Sequence, residues 1–327
     1  MVTVFSTKRL RSLGFAHKDI VKALQCCLQR VRRGQFVLTR PCDQQAHAVL
    51  QDVHSASSTS YPRTYGDIRD TAEDLKSLIR SYADDRLPDA VFSHVSAALL
   101  HGLDPPFPAV DKCEMIRTGT RRSSDTLHIR DRHLPPSDVD SIGGLPVTTL
   151  LRTLVDIARE YDPEFSVPLL SDALRRRLVT KAALRTALPP ARRGCRTAAL
   201  AISLADANHE SAAESITAVK FYRFDITGMI PQVETCDAAG NLLGRNDFRH
   251  EKYGLIVECH GVGKYFMGHN SPDEASKKNH ERHMKLLNAG FRIVNLVWAD
   301  LFRPHEFIKI KAELDTLAKS ELTQRSE

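Results

Sequence analysis

The chain of 327 residues carries 46 Lys and Arg against 40 Asp and Glu, which gives a net charge of +6. Its 42% hydrophobic and 26% charged residues are typical of a globular protein and exclude intrinsic disorder and a collagen-like repeat. The length suffices for two or three domains that each bury a core.

The charge is concentrated in two places. Residues 1–40 hold nine basic residues and one acid, and residues 171–200 hold eight basic residues and one acid. Two basic patches on a mildly acidic body indicate contact with a polyanion.

The cysteine count and the hydropathy bear on location. Seven cysteines make an odd number, and no two of them form a C-x-x-C pair. This argues against a secreted disulfide framework and favours a reducing environment. No stretch approaches the roughly 18 continuous apolar residues that indicate a membrane span, and residues 1–15 lack the apolar run of a signal peptide. We therefore expect a cytoplasmic location and no membrane partner.

The first predicted elements are two helices and a hairpin. A short helix is predicted over Lys8–Leu13, with Gly14 ending it, a second helix over residues 16–27, and a β-hairpin over Leu28–Leu38. This order is that of a winged helix-turn-helix, in which the second helix enters the major groove and the hairpin touches phosphate. The predicted DNA contacts are Lys18, Lys22, Arg30, Arg32 and Arg33.

We assign residues 1–75 to this DNA-binding segment. A winged helix normally has another helix before these two, and only Met1–Phe5 precede them here. Either the start is truncated or another element completes the core. The alternative is a small basic helical pair that packs on the rest of the chain.

Residues 76–204 are predicted to form an α+β middle domain. Residues 91–102 suggest a buried strand or turn that enters a helix, and Leu150–Glu160 has the apolar spacing of a strongly amphipathic helix. The arginines at 175–177 have two interpretations, a solvated helix end or a phosphate contact.

The C-terminal domain, residues 205–327, is predicted to follow the order helix, strand, strand, strand, helix, strand. Glu214 lies on the first helix and Asp247 on the second strand, while Glu258 and His260 share a face of the third strand. The alternative for Glu214 is structural, since Ser211-x-x-Glu214 matches a capping box.

Carboxylates on these elements can converge on one divalent cation. Mg²⁺ prefers oxygen ligands, and a metal held in this way polarises a phosphodiester and lowers the pKa of a water nucleophile. His260, Lys264 or His269 are candidates to relay a proton or to stabilise charge on the phosphate.

Residues 205–305 resemble the PD-(D/E)XK nuclease superfamily, particularly the very-short-patch-repair-like endonuclease domains of bacteria. The resemblance is carried by Glu214-Ser215, Asn246-Asp247-Phe248, Ile256–Gly261 and Lys278–Val294. It implies a restriction-endonuclease-like α/β fold, with Glu214, Asp247 and Glu258 as the carboxylates of a Mg²⁺ (or Mn²⁺) site.

The resemblance has one departure. The superfamily usually has Lys two residues after the Glu, where this chain has His260. The mismatch-repair endonucleases themselves have His-Gly, which matches His260-Gly261, and Lys264 is a candidate to replace the missing lysine.

The front of the chain resembles AbiEi-type antitoxin proteins of actinobacteria. The matching stretches are Phe15–Leu38, Ser93–Leu103 and Gly143–Ala158. This resemblance implies a winged helix joined to a middle domain, DNA binding at the protein's own promoter, and a cognate toxin as partner.

Two functions therefore stand side by side for this α/β multidomain protein. One is a Mg²⁺-dependent DNA endonuclease guided by a winged helix, and the other is a non-catalytic DNA-binding regulator, or antitoxin of a type IV toxin–antitoxin system, with a degenerate nuclease fold. A minor alternative gives the histidines to zinc, because His280 and His283 are three apart on a predicted helix, with Cys259, His260 and His269 near them in sequence.

Overall fold

A computed structural model describes residues 3–56, 64–65, 68–69, 71–83, 85–107, 110–190, 192–260 and 272–324. They form mixed α/β structure, as expected, in two compact units, residues 1–157 and 158–327. The predicted domain boundaries after residues 75 and 204 coincide with neither end of a unit, and the division into three domains stays a prediction. Within the described residues, no helix combines the length and apolar character needed to cross a membrane.

The first unit begins with a small sheet and three helices. In chain order these are β1 (Val4–Ser6), α1 (Thr7–Ser12), α2 (His17–Ala23), β2 (Leu28–Arg32), β3 (Gln35–Leu38), a 3-10 turn (Gln45–His47) and α3 (Ala48–Ala56). The strands form an antiparallel sheet in the order β1-β3-β2. Ser6 caps α1 by accepting a hydrogen bond of 3.1 Å from the Arg9 amide, so the predicted helix–turn–helix–hairpin order is present.

The second helix is shorter than predicted. The spacing of apolar residues extends it to residue 27, but α2 ends at Ala23 and the chain turns over residues 24–27. Cys27 is fully buried in this turn. It immediately precedes β2, so the chain must leave the helix axis before it.

Helix α3 completes the core of this segment. Leu50 of α3 is fully buried in one cluster with Phe5, Leu10 and Ile20. A hydrogen bond of 2.9 Å between Thr3 Oγ1 and His54 Nδ1 ties the region of β1 to α3. Within the described residues, a helix that follows the hairpin thus contributes to the core beneath α1 and α2.

The rest of the first unit is built around a six-stranded mixed sheet with the order β10-β11-β6-β7-β9-β8. Strands β4 (Thr64–Tyr65) and β5 (Ile68–Arg69) come first and pair with each other outside this sheet. The elements that follow in chain order are α4 (Thr71–Ser81), β6 (Val91–Phe92), α5 (His94–Leu100), β7 (Cys113–Arg117), β8 (Arg122–Ser123), β9 (Leu127–Asp131), β10 (Val139–Ile142), β11 (Leu145–Thr148) and α6 (Leu150–Glu160). Helix α6 has the predicted bounds, and the division between the units falls inside it.

In the described residues of the second unit, four helices precede a sheet with the order β12-β13-β14-β15, and two more helices lie before and after its last strand. The elements are α7 (Pro163–Arg175), α8 (Lys181–Thr186), α9 (Cys195–Leu204), α10 (Ala212–Arg223), β12 (Met229–Cys236), β13 (Leu242–His250), β14 (Leu255–His260), α11 (Pro272–Asn288), β15 (Arg292–Val297), a 3-10 turn (Trp298–Phe302) and α12 (Pro304–Gln324).

The predicted order of helix, three strands, helix and strand is present from α10 to β15. Strand β14 pairs antiparallel with β13 and parallel with β15. Helix α10 packs on this sheet, with Phe221 edge-on to Phe248 at 5.1 Å and Thr217 Oγ1 3.2 Å from Cys259 Sγ. All of Leu255–Cys259 is buried, so the strand that carries Glu258 is covered on both faces.

Candidate functional site

Most of the predicted DNA contacts lie in solvent. Seven basic residues of α1, α2 and the hairpin have exposed side chains, and we call this set the basic surface: Lys8, Arg9, Arg11, Lys18, Lys22, Arg30 and Arg33. The opposite side of α2 buries Ile20 and Ala23 in the core. The only acid among residues 1–40, Asp19, accepts a hydrogen bond of 2.9 Å from the Ala16 amide at the start of α2. The seven side chains of the basic surface therefore face solvent, and the one acid of residues 1–40 is engaged at the start of a helix.

The hairpin is turned by Arg33 and Gly34. Gly34 has a φ of +74°. This conformation is unfavourable for residues that carry a side chain, and glycine adopts it readily. Its carbonyl accepts a hydrogen bond of 2.8 Å from the Thr7 amide at the start of α1. This bond fixes the tip of the hairpin against the first helix, and Arg33 stays exposed at that tip.

Arg32 differs from its neighbour. Its guanidinium stacks over the Tyr82 ring at 4.1 Å, pairs with Asp85 at 2.7 Å and donates to the Ser81 carbonyl at 2.5 Å. Its side chain is 14% exposed. Arg32 therefore joins β2 to α4 and the turn after it, and we leave it out of the DNA-contacting set.

Glu214 is fully buried in the first turn of α10. One carboxylate oxygen accepts from the Ser211 hydroxyl at 2.7 Å, the other from the Glu210 amide at 2.9 Å, and Ser211 caps the helix. Burial raises the pKa of Glu214, and the charge of Asp247 adds to the rise. The capping role predicted for Glu214 is therefore directly supported, and its role in a metal site stays a prediction.

Asp247 lies close to Glu214 through a shared partner. Gln232 Nε2 donates to Glu214 Oε2 at 2.8 Å and makes a longer contact of 3.5 Å with Asp247 Oδ1. Gln232 has a φ of +55° and, like Asp247 opposite it, has no assigned partner in the pairing of β12 with β13. The other oxygen of Asp247 accepts from the Cys259 amide at 2.8 Å.

Glu258 has partners of its own. Asn246 Nδ2 donates to one oxygen at 2.6 Å, and Arg282 Nη2 of α11 lies 3.1 Å from the other. His260 is half-buried and meets Asn295 of β15, with 2.8 Å between Nε2 and Oδ1. The His260 side chain is thus hydrogen-bonded to the neighbouring strand β15.

These contacts bear on the predicted Mg²⁺ site. Glu214, Asp247 and Glu258 all belong to the described part of the chain, yet they do not offer three oxygens that all lie within 4.8 Å of one another. Each carboxylate is held by hydrogen bonds from the protein. This arrangement does not fit one ion held by all three residues, and the Mg²⁺ site stays a prediction. Lys264 and His269 lie outside the described residues.

The zinc alternative gains no support from the arrangement. Cys259 is buried against Thr217 of α10, and no group of three or more ligands forms around it, His260, His280 or His283 among the residues described.

A different cluster of metal-binding groups is present in the first unit. Cys26, Cys27, Cys42 and His47 each place one ligand atom within 4.8 Å of the others. The cluster was not predicted, because its cysteines do not have the C-x-x-C spacing by which such sites are usually identified. The usable signal was the hairpin, whose register pairs Leu28 with Leu38 and so brings the residues before and after it together.

The comparisons with known proteins give little. No protein-family model matches the chain, and no curated protein matches it. Among solved structures, the chain is similar to the crystal structure of the RV2827C protein from Mycobacterium tuberculosis, at 14% identity over 66% of this chain and 75% of that chain, with a TM-score of 0.35. A likeness this distant supports no inference about function.

Proposed function

We propose that the chain binds DNA through the basic surface of its first unit. The observation that carries this proposal is the exposure of seven basic side chains on α1, α2 and the hairpin, where the single acid caps a helix. Cations on adjacent elements neutralise successive phosphates and release condensed counterions, which favours binding.

The arrangement of the elements supports the same function. Helices α1 and α2 precede a hairpin that pairs with β1, and α3 packs on the same core. We interpret this arrangement as a winged helix in which α3 takes the place of the helix that normally comes first. In such a domain α2 enters the major groove and the hairpin contacts phosphate. Lys18 and Lys22 of α2 and Arg33 at the hairpin tip are the side chains that would make these contacts.

A double variant tests this proposal. We expect Lys18→Ala with Lys22→Ala to weaken binding to duplex DNA at least about tenfold, because each lost phosphate contact removes roughly 1 kcal/mol of binding free energy. The matched control is Lys309→Ala with Lys311→Ala, which removes an exposed and a half-buried lysine of α12. Fluorescence anisotropy with a labelled duplex measures both, and equal affinities for the two double variants would contradict the assignment.

Hydrolysis of DNA is the second candidate function. It is favoured by the order of elements from α10 to β15 and by the placement of Glu214 and Asp247 around Gln232. The protein hydrogen bonds held by all three carboxylates favour the non-catalytic alternative, in which this fold binds without cutting. A cognate toxin as partner stays a prediction.

Plasmid nicking in Mg²⁺ or Mn²⁺ distinguishes the two candidates. An endonuclease loses nicking in Asp247→Asn and keeps it in Asp237→Asn, a matched change in the exposed turn between β12 and β13. Equal background nicking by wild type and both variants would exclude hydrolysis of the DNA tested. DNA binding that survives Glu258→Gln would then support a non-catalytic regulator.

A further inference from the structure

Three thiols and one imidazole nitrogen meet at a single point beside the hairpin. The Sγ atoms of Cys26, Cys27 and Cys42 lie 3.3, 3.7 and 3.4 Å from His47 Nδ1. Cys26 Sγ lies 3.7 Å from the Sγ of both Cys27 and Cys42. Cys27 and His47 are buried, and the other two are half-buried.

Hydrogen bonding alone does not account for this convergence. A neutral imidazole nitrogen has one lone pair and accepts one hydrogen bond, whereas three thiols point at Nδ1. Thiols are also weak donors, so little free energy is gained by placing three of them together. A cation at the centre gives all four groups a common partner.

The distances match a tetrahedral zinc site. With bonds of about 2.3 Å to sulfur and about 2.0 Å to nitrogen, a tetrahedron has sulfur–sulfur edges of about 3.8 Å and sulfur–nitrogen edges of about 3.5 Å. The two sulfur–sulfur edges that involve Cys26 are both 3.7 Å, the third is within 4.8 Å, and the sulfur–nitrogen edges are 3.3–3.7 Å. A disulfide requires a sulfur–sulfur distance of about 2.05 Å, which no measured pair approaches.

The backbone around the cluster holds these ligands in place. The Thr39 amide donates to the Cys27 carbonyl at 2.9 Å, and Arg40 Nε donates to the Cys26 carbonyl at 2.5 Å. The His47 ring stacks on Phe15 with 6.0 Å between ring centroids. The turn after α2, the end of the hairpin and the 3-10 turn before α3 are thereby fixed around one point.

We propose that Cys26, Cys27, Cys42 and His47 bind one structural Zn²⁺ ion. Three thiolates and an imidazole in tetrahedral geometry suit zinc, and four protein ligands leave no open position for a substrate. The ion cross-links the turn after α2 to the segment that follows the hairpin and to the 3-10 turn before α3, next to the elements that carry the basic surface. The site stands whether or not the chain binds DNA.

Metal analysis of the full chain tests the site. The protein is expressed in zinc-supplemented medium, purified without chelators and analysed by inductively coupled plasma mass spectrometry. We expect about one zinc ion per chain for a closed four-ligand site, and loss of that ion in Cys42→Ser and in His47→Gln. The matched control Cys236→Ser, at an exposed cysteine elsewhere, keeps the metal. A wild-type chain that holds no zinc and gains none on addition of Zn²⁺ would overturn the proposal, as would equal loss in the control.

Two measurements on the wild-type protein keep the test valid if the variants fail to fold. Replacement of zinc by Co²⁺ should give the strong visible bands and the sulfur-to-metal charge transfer of tetrahedral cobalt thiolate. Mass-spectrometric mapping of alkylation should show Cys26 and Cys42 protected with zinc and reactive after chelation. Octahedral cobalt spectra, equal alkylation in both states, or a Cys26–Cys42 disulfide in the protein as purified would each count against the site.

Discussion

His209 is a histidine that burial keeps neutral. Its Nδ1 lies 3.3 Å from the hydroxyl oxygens of both Ser171 and Ser215, and its ring packs against Phe248. Burial lowers the pKa of His209 to about 4. An unfolded histidine has a pKa of about 6.5, so the unfolded chain binds more protons than the folded chain between the two values.

This difference predicts a dependence of stability on pH. The contribution of His209 is fully present above about pH 6.5 and is lost as the pH falls towards 4, which amounts to about 2 kcal/mol between pH 7 and pH 5. Urea unfolding at the two pH values measures it. His209→Gln should flatten the loss, whereas His280→Gln, at an exposed histidine, should retain it. The same loss in all three proteins would show that other groups cause it.

Arg32 and Arg33 are adjacent arginines with different roles. Arg32 is stacked on Tyr82 and paired with Asp85, while Arg33 is exposed. We expect Arg32→Ala to lower the free energy of unfolding by about 2–3 kcal/mol, because it removes a stacked, charged donor and leaves its partners unpaired. Arg33→Ala should change it by less than about 0.5 kcal/mol.

For DNA binding we expect the reverse order, with the larger effect in Arg33→Ala. Below the unfolding transition, Arg33→Ala weakens affinity, because it removes a cation from the basic surface, and Arg32→Ala leaves it nearly unchanged. Urea titration and anisotropy on the same preparations measure both properties. A stable Arg32→Ala protein with weakened binding would return Arg32 to the DNA-contacting set.

At the scale of elements, α7 and α10 are joined by a compact ionic network. Glu164, buried near the start of α7, pairs with Lys220 of α10 at 2.6 Å and also contacts Arg223. Arg223 in turn meets both oxygens of Asp162, at 2.8 and 2.7 Å. This network holds α10, which carries Glu214, against α7.

Removing the buried carboxylate charge should loosen this pair of helices. We expect Glu164→Gln to lower the free energy of unfolding by about 2–3 kcal/mol, because Lys220 is left as a mostly buried cation without its partner. The control Asp172→Asn alters pairs within α7, to Arg175 and Arg176, and should cost about 0.5 kcal/mol or less. Chemical denaturation measures both, and equal costs would show that burial adds nothing to the Glu164 pairs.

Several elements were predictable from local pattern alone. The bounds of α6 and the order of elements from α10 to β15 match the prediction because apolar spacing and flanking residues act over short distances. The end of α2 could not be predicted in this way, because burial of Cys27 beside the hairpin overrides a helical pattern that continues past Ala23.

The candidate sites were predictable only in part, because their geometry depends on residues distant in sequence. The positions of Glu214, Asp247 and Glu258 on their elements were predicted. The hydrogen bonds that hold these carboxylates were not predicted, since the donors, among them Gln232 of β12 with its positive φ, lie on neighbouring elements. The cluster of three cysteines and His47 likewise requires the register of β2 with β3.

At the scale of the whole molecule, the net charge of +6 conceals a segment that carries nine basic residues and one acid. In that segment Arg32 is neutralised by Asp85, and the seven residues of the basic surface stay in solvent. Long-range attraction of a polyanion is therefore expected to act on the first unit, and binding to be strongly sensitive to ionic strength.

The salt dependence of binding gives a count of phosphate contacts. If four to six residues of the basic surface each meet a phosphate, the logarithm of the association constant falls against the logarithm of salt concentration with a slope of about −4 to −5. Lys18→Ala with Lys22→Ala should reduce the magnitude of that slope by about 2, because the variant makes two fewer phosphate contacts and releases fewer counterions. Anisotropy titrations over a series of NaCl concentrations measure the slope, with Lys309→Ala and Lys311→Ala as the matched control. A slope that the α12 pair reduces and the α2 pair does not would move the DNA contact to the second unit.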